Sequence, residues 1–418
     1  MIGRIRQTIG GGALRSPQFR LLMTAGMAMQ LGQWIQRVAL LWTVYEITGS
    51  AVQLAGLGFL SNIFVLVLSP FVGPLSDRYG ARRVLLGAAL GQAIGAIVLS
   101  VAVFGGFASI PLLYVIGMGF GIGQSLNGPT RNLLVYDTVG RDLLRNGIAL
   151  NSLTGSTMRV IGPSFGGLIL GLRGADLAFG IQAVLLILAL WLVFMLKVDS
   201  RRISAREGSM WRSLAGGVAH LKENAPVRVN VLTAFVASTF VYPYVQFMPL
   251  FVAENMQGSE AELGLLFSGV GIGSLVGLWY VAAGRGNMPA MLWAGTIYMV
   301  LIGAFALATE FWLGFGLLIA AGVVHSVFSG LNQALVQLNS EEEYRARVLG
   351  IYSMSGGLEP FSFLALGVLM DHIGAGNAMA ASAGLAAAFV ALLAVRATMG
   401  AFQPRPRPSA PAEGAPPA

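Results

Sequence analysis

Apolar residues fill this chain in long continuous stretches separated by short polar segments, with neither the stripe of a surface helix nor the alternation of a half-buried strand. Such stretches occur at 20–47, 50–73, 83–106, 109–134, 144–171, 175–197, 228–253, 259–283, 287–309, 311–338, 346–371 and 375–399. Each is near the roughly 20 residues that a helix needs to cross a bilayer. Hydrocarbon offers backbone groups no hydrogen-bond partner, so a spanning segment is a helix or part of a closed barrel. Continuous apolarity excludes the barrel's alternation. The pattern predicts an all-α polytopic membrane protein with twelve transmembrane helices.

The polar segments divide the chain into two pseudo-symmetric six-helix bundles, 1–197 and 228–400. Between them, 198–227 combines Arg201, Arg202, Arg206, Arg212, Lys222 and Arg228 (just beyond the segment) with Trp211, Leu214, Val218 and Leu221 on one helical face, the pattern of a linker with an interfacial helix. Residues 401–418 are Pro-rich and predict a disordered tail. The halves echo each other: the run beginning at Gly49 parallels one beginning at Gly258, and Arg145, Gly167, Gly174 and Ala175 pair with Arg345, Gly367, Gly374 and Ala375. Internal repeats of this kind are common in transporters.

Composition narrows the chemistry. The chain is 56% hydrophobic and 11% charged, against roughly 25% charged in soluble domains, which excludes an ordinary soluble enzyme. The net charge of +8 does not mark a nucleic-acid binder, because the basic residues are spread over short loops. With the N-terminus in the cytoplasm, all of the 26 Lys and Arg except Arg37, Arg159 and Arg173 fall on the cytoplasmic side, while Glu46, Asp176, Glu254, Glu260, Glu262, Glu310 and Asp371 fall outside. The first stretch, preceded by Arg4, Arg6, Arg15 and Arg20, is too long for a signal peptide and is expected to stay. The absence of cysteine removes thiolate catalysis and disulfides. His220, His325 and His372 are too scattered for an evident metal site, and no hydrolase or nucleotide-binding motif occurs. No enzyme activity, metal or cofactor is expected, and transport would be driven by gradients.

Two motifs carry more. Between the second and third stretches stands Gly73-Pro74-Leu75-Ser76-Asp77-Arg78-Tyr79-Gly80-Ala81-Arg82-Arg83. Its glycines permit a tight turn, Asp77 can face a helix N-terminus, and the arginines sit at phosphate level. The fifth stretch holds Gly162, Pro163, Gly166 and Gly167, a kink-forming proline beside glycines that let helices approach. The loop resembles the signature of the major facilitator superfamily, and the six-plus-six layout extends the resemblance over the whole chain. By that resemblance Asp77 locks the halves in the outward-facing state, with Arg78 and Arg82 or Arg83 completing the charge network. The second-half counterpart is reduced to Gly284-Arg285-Gly286-Asn287. The GPxxGG run is similar to the core of the antiporter motif, with Met158 in place of the leading glycine. Local runs such as Tyr45-Glu46-Ile47-Thr48-Gly49-Ser50 and Arg159-Val160-Ile161-Gly162-Pro163 resemble the enterobactin-exporter-like and macrolide-efflux-like branch. That branch implies a bacterial inner-membrane exporter of siderophores, macrolides or similar amphipathic molecules, although Gln33 stands where its members often have Asp.

A charge in mid-helix costs roughly 2.5–3.5 kcal/mol and normally faces a partner or a wet cavity. Arg37, Arg159, His325 and Glu359 are the candidates. In the superfamily arrangement the first, fourth, seventh and tenth helices line the cavity, with the second, fifth, eighth and eleventh beside it, placing all four near the pathway. Glu359, between Gly356-Gly357 and Pro360, is the candidate proton carrier or half of a structural ion pair with Arg37 or Arg159. His325 can titrate near neutrality or be held by a hydrogen bond. Arg37 and Arg159 suit an anionic group such as a carboxylate or catecholate, or helix packing. Gln33, Gln124, Asn127, Asn151, Gln246, Asn332 and Gln333, with Tyr242 and Tyr244, suit the wall of an amphipathic pocket; Trp34 and Trp42 read as packing. The expectation is a monomeric, proton- or ion-coupled exporter of a small molecule in a lipid bilayer. The alternatives are an importer of a metabolite or iron complex, and a non-transporting receptor or scaffold.

Overall fold

The computed structural model describes residues 12–198, 218–282, 286–341 and 344–402. Most of the expected interfacial linker, part of the 284–287 loop and most of the Pro-rich tail lie outside that set. Helices dominate the described residues and no strand occurs among them. Helix α1 is Pro17–Thr48, α2 Ala51–Leu68 and α3 Ala81–Phe104. A run from Ile110 to Met195 is interrupted at Gly140, Arg173 and Gly174, giving α4 (110–139), α5 (141–172) and α6 (175–195). Gly140 and Gly174 have φ of 70° and 73°, a left-handed region that glycine reaches without cost. In the second half, α7 is Ala225–Phe240, α8 Glu260–Ala282, α9 Met288–Ala306, α10 Phe311–Asn339, α11 Arg345–Ser353 resumed as Glu359–Ile373, and α12 Ala375–Thr398. Nine helices among the described residues are long and apolar enough to cross a membrane.

Polar caps fix the starts. Ser16 accepts from the Phe19 N–H, Ser50 from Gln53, Asn224 from Val227 and Asn287 from Ala290, each satisfying a donor that the first helical turn leaves open. Two expected spans are broken. The 228–253 stretch leaves α-helix after Phe240, passes through a 3-10 turn at Tyr242–Val245 and a π-turn at Phe251–Asn255, because Pro243 and Pro249 lack the N–H that a continuous helix needs. The 346–371 stretch opens into a 3-10 turn at Met354–Leu358, just before Glu359. Pro163, by contrast, stays inside a helical segment, and the breaks of the long run fall at its glycines.

The halves meet at the ends remote from the chain termini. Gly167 of α5 lies against Gly264 of α8 so closely that a Cβ on Gly264 would sit 2.0 Å from the Gly167 carbonyl oxygen. Gly171 faces Ala261, Gly367 of α11 faces Ala55 of α2, and the Phe59 and Phe361 rings are 5.8 Å apart. Toward the termini, Gln124, Gly128 and Asn132 form an exposed stripe along α4. The molecule is closed on its far face, with a cleft leading toward the face that carries the termini.

Candidate functional site

At the head of that cleft lies a cavity of about 70 Å³, partly open to solvent. Helix α1 presents Gln33, Gln36, Arg37, Leu40 and Leu41, spaced three and four apart so that they share one face. Helix α2 adds Leu57, Gly58, Ser61 and Asn62, α4 adds Gly117, Phe120, Gly121 and Gln124, and the second half contributes Gln246. Helices α2 and α4 meet where a Cβ on Gly121 would lie 1.9 Å from the Ser61 carbonyl oxygen, so only glycine fits. Gln246 donates to the Leu54 carbonyl at 2.7 Å, a hydrogen bond across the halves. The buried Gln33 Nε2 has no acceptor among the described residues.

Arg37 is half-buried, its guanidinium 5.6 Å from the centre of the Trp34 ring. It interacts electrostatically with Glu359 of the other half. Glu359 opens the second piece of α11 and is partly buried. Its field reaches Tyr298, which is hydrogen-bonded to Tyr244. The His325 ring is 5.0 Å from that of Tyr298 and 5.5 Å from that of Tyr242. These aromatics therefore form one wall with Glu359 beside it.

The expected residues thus divide. Gln33, Arg37, Gln124 and Gln246 line the cavity, Glu359 faces Arg37, and Tyr242 and His325 belong to the aromatic wall. Arg159 lies on α5, its side chain outside the described set. Three expected lining residues are buried or engaged elsewhere. Asn332 is buried with its amide toward Thr233 at 3.5 Å, Asn127 is buried on α4, and Asn151 accepts from Arg131 at 2.6 Å. Trp42 is buried, and Trp34 is also the seat of Gly162, whose Cβ would lie 2.2 Å from the indole. Sequence reasoning missed Gln36, Ser61, Asn62 and Tyr298. The spacing of Gln36 from Gln33 was a usable signal, whereas a tyrosine inside an apolar helix reads as packing.

The signature loop is a short helix, Val72–Tyr79, ending at Gly80 with φ of 87°. Arg82 donates to the Phe194 carbonyl at 2.7 Å, and the Arg78 guanidinium stacks on Tyr79 at 5.3 Å. Gly73 faces open space and Arg83 is exposed. No ion pair or hydrogen bond of the Asp77 carboxylate occurs among the described residues. The GPxxGG run does two jobs: Gly162 and Gly166 seat α5 on α1, while Gly167 makes the closure with α8.

Residues 11–411 match the family profile described as Transmembrane secretion effector, a branch of the major facilitator superfamily. The chain belongs to this family. It is similar to the Staphyloferrin A transporter of Staphylococcus aureus, 22% identical over 85% of this chain and 90% of that protein. It is 26% identical to the Enterobactin exporter EntS of Shigella boydii over 80% and 81%, and 22% identical to Macrolide efflux protein A of Streptococcus pyogenes over 84% and 89%. Among solved structures it resembles a bacterial homologue of the lysosomal transporter Spinster in an inward-facing, unoccupied conformation, with TM-score 0.67, 17% identity and coverage of 92% and 98%. The nucleoside transporter NupG also matches, with TM-score 0.67, 13% identity and coverage of 93% and 99%. This member of the family is a multi-pass membrane transporter of a small molecule and not an enzyme.

Proposed function

We propose that this transporter is a proton-coupled exporter of an amphipathic, anionic small molecule, working by alternating access in a bacterial inner membrane with both termini in the cytoplasm. The interaction of Arg37 with Glu359 across the two halves carries the reading. In the cytoplasm-open state the cargo's anionic group joins Glu359 on the Arg37 guanidinium, and Glu359, held as a carboxylate by that cation, has released its proton to the cytoplasm. After the cargo leaves at the outer face Glu359 takes a proton from outside, so the proton moves inward as the cargo moves outward. The halves rock about the Gly167 to Gly264 closure, and Asp77, unengaged in this cytoplasm-open state, latches the inner face in the opposite one. The exporter names of two relatives support the direction, and the siderophore and macrolide in the relatives' names set the cargo size. The test is uptake of enterobactin by inside-out vesicles under an imposed pH gradient. Gradient-driven uptake is expected, with Glu359→Gln retaining exchange at equal pH but losing the response to the gradient. Flux that ignores the gradient, or a Glu359→Gln variant that still responds to it, would remove the coupling.

A further inference from the structure

A second cation sits deeper in the first half. Arg131 of α4 is 94% buried by exposure of 6%. Its guanidinium lies flat on α1 at Gly26, where a Cβ would be 2.3 Å from Cζ. Nη2 donates to Asn151 Oδ1 at 2.6 Å, and Asn151 Nδ2 donates on to the exposed Asn132 at 2.8 Å. Nε has no acceptor, and the Asn127 Oδ1 one turn earlier on α4 has no donor. Among the described residues no carboxylate hydrogen-bonds or ion-pairs with this arginine. A buried charge left to a single neutral amide is unusual, since such groups are paired or neutralised. Gly26 precedes Arg37 by eleven residues on one helix, about 16 Å along the axis, so Arg131 stands between the main cavity and the terminal face. Asn132, at the end of its hydrogen-bond chain, belongs to the exposed stripe that leads from the cavity.

We propose that Arg131 is a second anion-binding station of the cleft, taking a carboxylate or phosphate group before it reaches Arg37. The ligand approaches by the Gln124, Gly128 and Asn132 stripe toward the guanidinium edge that Asn151 holds through Nη2, while the buried Nε stays covered by α1 at Gly26. Planar guanidinium forks match such groups bidentately. Counting Arg37 and Arg131 against Glu359, the described groups of the cleft carry an excess positive charge that an anionic ligand balances. The shared chemistry has two sources, a soluble polycarboxylate and an anionic lipid headgroup at the cleft mouth. The inference rests on the proposed anionic cargo but concerns binding alone, so proton coupling can fail in the flux assay while this station stands.

The experiment isolates Arg131 by working in an Arg37→Gln background, full-length in nanodiscs of phosphatidylcholine, with citrate as the probe at constant ionic strength. Citrate binding, read by calorimetry and by a rise in melting temperature, is expected for Arg37→Gln and weakened about tenfold or more when Arg131→Gln is added. Should the double variant not fold, Arg131→Lys keeps the charge without the fork and is expected to bind citrate several-fold more weakly. A parallel arm adds phosphatidylglycerol to the discs. Stabilisation by that lipid in Arg37→Gln, lost with Arg131, assigns the station to headgroups. No response to either anion, or equal responses with and without Arg131, overturns the proposal and leaves the residue as a staple of α1, α4 and α5.

Discussion

The two halves share a fold but not an interior. The first half surrounds its side of the cleft with amides and cations, Gln33, Gln36, Arg37, Gln124 and the deeper Arg131. The second half offers Tyr242, Tyr244, Tyr298, Phe305 and His325 in one aromatic cluster with Glu359 beside it. Backbone closure between the halves is nearly symmetric in character, glycine and alanine on both seams, α5 to α8 and α2 to α11. Small residues make such close approaches possible in a membrane, where dispersion replaces the hydrophobic effect between helices. On the proposed function, rocking is a property the halves hold in common while the chemistry is divided, the first half holding the anionic group and the second handling the proton.

The strongest way to break this comparison is at the shared seam. Gly264→Leu places a side chain where a Cβ already meets the Gly167 carbonyl oxygen. Overpacking of about 1–3 kcal/mol would shift the conformational balance about 5- to 150-fold away from the far-face-closed state, so vesicle flux is expected to fall by a similar factor while the protein stays folded by circular dichroism. Next, Arg37→Gln is expected to weaken cargo affinity about tenfold or more through loss of a charge-assisted contact, and, because it removes the cation that faces Glu359, to raise the pH at which flux is half-maximal. If the variant shifted that pH and left KM alone, the division of labour would be wrong. The smallest effect belongs to Tyr298→Phe, which keeps the ring against His325 and removes the phenol hydrogen-bonded to Tyr244. A lost hydrogen bond of about 1 kcal/mol corresponds to roughly 0.7 pH unit, so the pH profile should move by about that much at unchanged KM.

How legible these features were follows from their surroundings in the chain. Glu359 and Arg37 stand out because a charge in an apolar stretch is expensive, and Glu359 is flanked by the glycines and proline that break its helix. Asn332 and Asn127 look the same by composition yet are buried, because hydropathy does not say which way a helix is rotated in its bundle. Arg131 reads as an inner-face residue, since apolarity ends near 134, but α4 continues to 139 and carries it under Gly26 of α1. Tyr298 gives no signal at all: in an apolar helix an aromatic ring is packing until its neighbours are known. The breaks after Phe240 and at Met354–Leu358 were written in Pro243, Pro249, Gly356 and Gly357, though only the second was singled out as a broken stretch.

Because the chain has no native cysteine, paired spin labels can be placed without removing any. Leu153 on α5 and Trp279 on α8 are exposed and lie on the terminal side of the Gly167 to Gly264 closure, so Leu153→Cys with Trp279→Cys reports the width of the cytoplasmic opening by electron double resonance. Rocking of two rigid halves requires a wide distance in the unaltered pair and a population at markedly shorter distance once Gly264→Leu wedges the far face. A single distance distribution, identical with and without the wedge, would contradict the movement on which cargo exchange and proton exchange both depend.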